Sequence, residues 1–159
     1  MPRGGLRKGD DMVDAKELRG YRIFMQLVGE ELEMVAPLAE EAAYEPGTRI
    51  IREGEPATYL YLVKKGRLQV KMTAASGQEV VLDEAVPGTT VGWSALAERR
   101  ISTASVDVAE PSELIAFEGE RMRRLFEENC RVGYGVMRGL TVIVSRRLDR
   151  CRSYFAARQ

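Results

Sequence analysis

Hydrophobic and polar positions change their period twice along this chain. Over residues 15–44 the apolar residues Leu18, Phe24, Leu27, Leu32, Val35 and Leu38 recur mostly at three- and four-residue steps, a helical pattern that Gly20, Gly29 and Pro37 break into short pieces. Over residues 46–117 the period falls to two, with glycines at 47, 54, 66, 77, 88 and 92. This pattern predicts strands over 48–51, 59–64, 67–72, 79–86, 104–108 and 113–117. Turns are expected at Lys65-Gly66, Ser76-Gly77 and Pro87-Gly88. Short strands at regular spacing point to an antiparallel barrel or jelly roll. After Glu118 the helical period returns, first around Met122, Leu125 and Phe126. A long stretch follows from about Arg131 to Phe155, where Met137, Leu140, Val144, Leu148, Cys151 and Phe155 form one stripe at steps of three and four.

The boundaries follow from these changes. Residues 1–14, Gly-rich and charged, read as a disordered tail. Residues 15–159 read as one domain, with N-terminal helices over 15–45, a β-rich zone over 46–117 and C-terminal helices over 118–159. A chain of 159 residues and 17.8 kDa favours one domain over two.

Charge and composition narrow the chemistry. Lys plus Arg is 24 and Asp plus Glu is 24, so a globally basic nucleic-acid binder is not expected. There is no histidine, which removes the commonest general base and the commonest zinc ligand. Two cysteines, Cys130 and Cys151, cannot build a structural zinc site alone. No apolar run reaches membrane-spanning length, and Arg3, Arg7 and Lys8 are not followed by a signal-peptide core. The expectation is a soluble cytoplasmic protein, not bound to a membrane, that binds rather than catalyses, with no catalytic residue and no metal site.

Residues 50–66, IIREGEPATYLYLVKKG, carry a more specific signal. Ile50, Ile51, Gly54, Glu55, Ala57, the run from Leu60 to Val63, and Gly66 fit every position of the first signature of the cyclic nucleotide-binding domain. The chain therefore resembles that family, in its catabolite activator-like form. The glycines suit turns that need positive φ, and the apolar run suits a buried strand. The resemblance implies a mainly β fold with flanking helices. Its centre would be an eight-stranded antiparallel β-roll, a jelly-roll-like double-stranded β-helix, with N-terminal helices and a long C-terminal helix.

The family's second signature, its phosphate-binding cassette, is matched only in part by VGWSALAERRISTASV. Val91, Gly92, Ala95, Leu96, Thr103, Ala104 and Val106 fit. Where the family has a Glu for the ribose hydroxyl, this chain has Trp93; where it has an Arg for the cyclic phosphate, this chain has Ser102. Losing both contacts should weaken a cyclic nucleotide by about two to four decades. Tight cyclic AMP binding is therefore not expected. A nucleotide-like or other small anion is the ligand class left open. Candidate contacts are Gly92, Trp93, Ser94, Ala95, Leu96, Arg99, Arg100, Ser102, Thr103 and Ala104. Trp93 reads either as a stacking platform or as a plug that closes the pocket.

In this family the C-terminal helix usually pairs two copies and caps the ligand. By alignment through Arg146-Arg147-Leu148, lid contacts would fall on Cys151 and Arg152. The stripe Met137, Leu140, Val144, Leu148, Cys151 and Phe155 would form the dimer interface, with Arg146, Arg147 and Arg150 flanking it in water. Only Ala156 to Gln159 follow the stripe, so no helix-turn-helix is expected, and the chain is similar to the stand-alone domains of this family in bacteria. The favoured function is a regulatory small-ligand sensor with a divergent cassette, acting on a protein partner through its C-terminal helix. The alternative is a ligand-free dimerisation or docking scaffold whose pocket Trp93 closes.

Overall fold

A computed structural model describes residues 4–7 and 12–158. Two antiparallel sheets face each other, and a layer of helices covers one of them. The strands are β1 (Gly4–Arg7), β2 (Ala39–Tyr44), β3 (Arg49–Ile51), β4 (Tyr59–Lys65), β5 (Leu68–Thr73), β6 (Glu79–Ala85), β7 (Thr90–Val91), β8 (Ser105–Val108) and β9 (Ser112–Glu118). One sheet has the order β1-β2-β9-β4-β7 and the other β3-β8-β5-β6. The β-roll of the expected architecture is thus β2 to β9, eight strands, with β1 added at one edge. The helices are α1 (Ala15–Leu18), α2 (Gly29–Val35), α3 (Gly119–Glu128) and α4 (Cys130–Ala156).

The uninterrupted apolar run in β4 has a direct cause. Alternate side chains of a strand point to opposite faces, and both faces of β4 are covered. Leu60 and Leu62 pack into the helical layer with Phe24, Ile115 and Phe117. Tyr61 and Val63 pack between the sheets with Val70, Val106 and Leu114. Strand β9 is divided the same way, and its Phe117 meets Phe24 edge to face with ring centroids 5.5 Å apart.

Two expectations about the N-terminal part are corrected. Residues 39–44 were expected to be helical as the end of the zone with three- and four-residue apolar steps, and their Ala and Glu are good helix formers. They form β2 instead, paired with β9 along its whole length, from Ala39 opposite Phe117 to Tyr44 opposite Ser112. Pairing with a central strand outweighs local propensity here. Part of the expected disordered tail is also ordered: Gly4–Arg7 pairs with β2 as strand β1, supplying β2 with its second neighbour. Residues 1–3 and 8–11 of that tail lie outside the described residues. Val13 is buried in the helical core.

The C-terminal helix is a single element of 27 residues, and its near half is anchored by close approach. Gly139 sits against the 3-10 turn Arg22–Phe24, where an added Cβ would run into the carbonyl oxygen of Ile23. Val132, Val136 and Leu140 are buried in the protein's own core, and Met137 and Val144 pack against it.

Candidate functional site

The cassette begins where β7 ends. Gly92 takes φ +79, and a Cβ there would fall 2.6 Å from the Tyr59 carbonyl oxygen, so only glycine makes this turn without strain. The turn leads into a short 3-10 helix, Trp93–Leu96, and then a loop returning to β8. Backbone bonds tie that loop to the β3–β4 connection: Gly54 donates to the Ser102 carbonyl at 2.9 Å, and Ser102 donates to the Glu55 carbonyl at 2.9 Å. The α3 residue Arg123 donates to the Ala95 carbonyl, joining the cassette to the C-terminal helices. Burial pushes the Arg123 guanidinium below its ordinary pKa, and the nearby Arg100 adds to the effect.

Beside a wider surface hollow of about 290 Å³ that Ser102 shares with the β3–β4 connection, the cavity walled by this segment is small. It measures about 20 Å³ and is lined by Ile51, Val70, Gly92, Trp93, Ser94, Ser102, Thr103, Ala104, Val106 and Arg147. That is room for about one water. Trp93 packs against the helical core and leaves little space where a ligand would lie. Six of the ten cassette candidates therefore line the cavity: Gly92, Trp93, Ser94, Ser102, Thr103 and Ala104. The other four do not. Arg99 and Arg100 are exposed on the loop. Ala95 and Leu96 are buried in the 3-10 helix, and Leu96 belongs to the helical core.

The lid expectation is corrected by one turn of helix. Neither Cys151 nor Arg152 lines the cavity, and Arg152 is exposed. Arg147, one turn earlier on α4, lines it instead. This arginine was expected to flank the apolar stripe in water, yet its side chain is only 17% exposed. Its Nε is buried without a hydrogen-bond partner, and Asp83 Oδ2 of β6 stands 3.7 Å away. Asp83 also accepts from Arg150 Nη1. Desolvation therefore pushes the Arg147 guanidinium below its ordinary pKa, and Asp83 opposes this only in part. Sequence reasoning missed both members of this pair. The available signal was a run of arginines on one helix, Arg146, Arg147, Arg150 and Arg152.

The apolar stripe on α4 divides in two. Leu140 is buried, and Met137 and Val144 are packed against the protein's own core, so these three are not free to meet a second copy. Farther along, Leu148 is 58% and Phe155 52% exposed, with Cys151 half-buried between them.

Residues 41–129 match the sequence profile of the cyclic nucleotide-binding domain. This chain belongs to that family. The acetyltransferase Pat of Mycolicibacterium smegmatis is 36% identical over 109 residues, which are 69% of this chain and 32% of that enzyme. The cyclic AMP receptor protein of Thermus thermophilus is 28% identical over 131 residues, covering 82% of this chain and 59% of the receptor. The domain thus spans about a third to three-fifths of these relatives. Among solved structures, a cyclic nucleotide-binding protein of Geobacter metallireducens superposes with a TM-score of 0.77 at 28% identity, covering 86% of this chain and 99% of that one. In this cyclic nucleotide-binding domain Trp93 and Ser102 stand in the cassette, and Arg147 reaches it from α4. Among the described residues, no helix is long and apolar enough to cross a membrane.

Proposed function

We propose that this domain is a regulatory small-ligand sensor whose cassette does not use the family's usual ribose and phosphate contacts, and whose output leaves through α4. One observation carries the reading: Arg147 of α4 is itself a wall of the cassette cavity. A ligand larger than a cavity of about 20 Å³ has to shift part of its lining, in which Trp93 and Arg147 are the largest side chains. Displacing Arg147 breaks its contact with Asp83 of β6, one of the links between α4 and the β-roll. The ligand class is a nucleotide-like or other small anion, since the chemistry that remains is hydroxyls, a tryptophan face and one guanidinium. No catalytic role is assigned to any residue. The similarity to part of an acetyltransferase suggests an enzyme as the kind of partner such a module would control.

Assembly belongs to the same proposal. Two copies pair through the distal face of α4 around Leu148, Cys151 and Phe155, in the cytoplasm. Exposed Leu148 and Phe155, about two turns apart on one face, favour burial against a like surface.

A second reading has its own support. The small cavity and the packing of Trp93 fit a scaffold with a closed pocket. A native mass spectrum of freshly purified protein, with thermal unfolding against a nucleotide and metabolite panel, separates the two. A retained small molecule, or saturable stabilisation by one compound, supports the sensor. Bare protein with no response to any compound supports the scaffold.

A further inference from the structure

A second cavity, of about 100 Å³, lies between β6, the turn after it and α4. By volume it holds several waters. Its charged lining is Arg22, Arg146, Arg147 and Arg150 facing Asp83 and Glu84, a surplus of two positive charges. The carboxylates are already engaged. Glu84 is held by Arg67 at 2.6 Å, and Asp83 serves both Arg147 and Arg150. Among the described residues, Arg22 and Arg146 make no ion pair, and both are exposed. Arg147 Nε is buried and lacks an acceptor. A buried guanidinium nitrogen without a partner is costly, and a water or an ion is what normally completes it.

We propose that this cleft is a binding site for a compact, multiply charged oxyanion of the phosphate type, with Arg22, Arg146 and Arg147 as its charge partners. Planar guanidinium forks match the oxygens of such an anion in pairs, which a single carboxylate shared by two arginines cannot do. The volume suits an anion of phosphate or pyrophosphate size. Arg147 also lines the cassette cavity, so an anion here fixes the residue that closes the cassette. The site differs from the cassette in location and does not depend on the cassette's ligand.

Calorimetric titration of the full chain with inorganic pyrophosphate at low ionic strength tests the proposal. One anion should bind per chain with Kd below about 1 mM. Arg22→Gln with Arg146→Gln should weaken binding at least about tenfold. Both side chains are exposed, so the melting temperature of the double variant should stay close to wild type. Arg124→Gln, an exposed α3 position paired with Glu120, should leave the affinity unchanged. An ADP titration distinguishes sources: equal or weaker binding assigns the site to the free anion, and binding tenfold tighter assigns it to the phosphoryl groups of a nucleotide. The proposal falls if no saturable binding is seen up to about 10 mM pyrophosphate, if the double variant binds as wild type does, or if Arg124→Gln weakens binding equally.

Discussion

Asp83 of β6 and Arg147 of α4 face each other across 3.7 Å, and this contact joins the C-terminal helix to the β-roll beside the cassette. Both side chains are largely buried, and Arg150 shares the same carboxylate. Removing the acid leaves a largely buried guanidinium with no counter-charge, which costs more than the pair contributes when intact. Asp83→Asn should therefore lower stability by about 1–3 kcal/mol. Urea unfolding measures it. A value within experimental error of wild type would mean that Arg147 is already well solvated.

Gly139 makes the same helix sensitive to a single methyl group. Alanine is the better helix former by about 1 kcal/mol, so an isolated α4 would gain from the change. In the folded domain the new Cβ would strike the Ile23 carbonyl oxygen, which belongs to backbone and cannot swing away. Overpacking costs about 1–3 kcal/mol and should win. Gly139→Ala is expected to destabilise, while Ser145→Ala on the exposed face should change little. Comparison of the two unfolding midpoints decides the point.

Acid should weaken the sheet through Asp107. Arg49 Nε donates to it at 2.7 Å and Lys71 Nζ at 2.8 Å, and the Arg49 hydrogen bond is the main reason its pKa falls to about 2. Because the folded pKa lies below the unfolded value, the unfolded chain binds the proton first as pH falls. The stabilisation is present above about pH 4 and is lost between about pH 4 and 2. Partial solvent exposure limits its size to about 1–2 kcal/mol. Arg49→Gln should flatten most of this slope in stability measured against pH, leaving the smaller share due to Lys71.

Pairing through α4 now rests on its distal half. Sedimentation should show a dimer at tens of micromolar that Leu148→Asp disrupts, since Leu148 is exposed and its replacement leaves the core intact. In a parallel two-fold pair the Cys151 thiols approach each other near the axis, so oxidation should trap a covalent dimer. Cys151→Ser should abolish the trapping and Cys130→Ser should not. A wild-type monomer at that concentration would contradict the pairing.

The fold was legible in the sequence wherever one residue type served one environment. The alternation in β5 and the unbroken run from Leu60 to Val63 both announced strands, because side chains on a strand are sorted by face. Strand β2 was hidden, since Ala39, Glu40, Glu41, Ala42 and Ala43 favour a helix and only their pairing with β9 makes them a strand. The cassette itself was visible through Gly92, Ala104 and the spacing between them. The contribution of Arg147 was not, because an arginine on a helix looks the same in sequence whether it faces water or a cavity fifty residues away. Only the packing of α4 against β6 separates Arg147, largely buried, from its exposed neighbour Arg146.

The most direct test of the account is calorimetric titration with cyclic AMP, because the central claim is that Trp93 and Ser102 have removed the family's standard contacts. Wild type should bind with Kd above about 10 μM, and Trp93→Glu with Ser102→Arg should bind at least about tenfold tighter by restoring the ribose and phosphate partners. Submicromolar binding of cyclic AMP by the unaltered protein would contradict the claim.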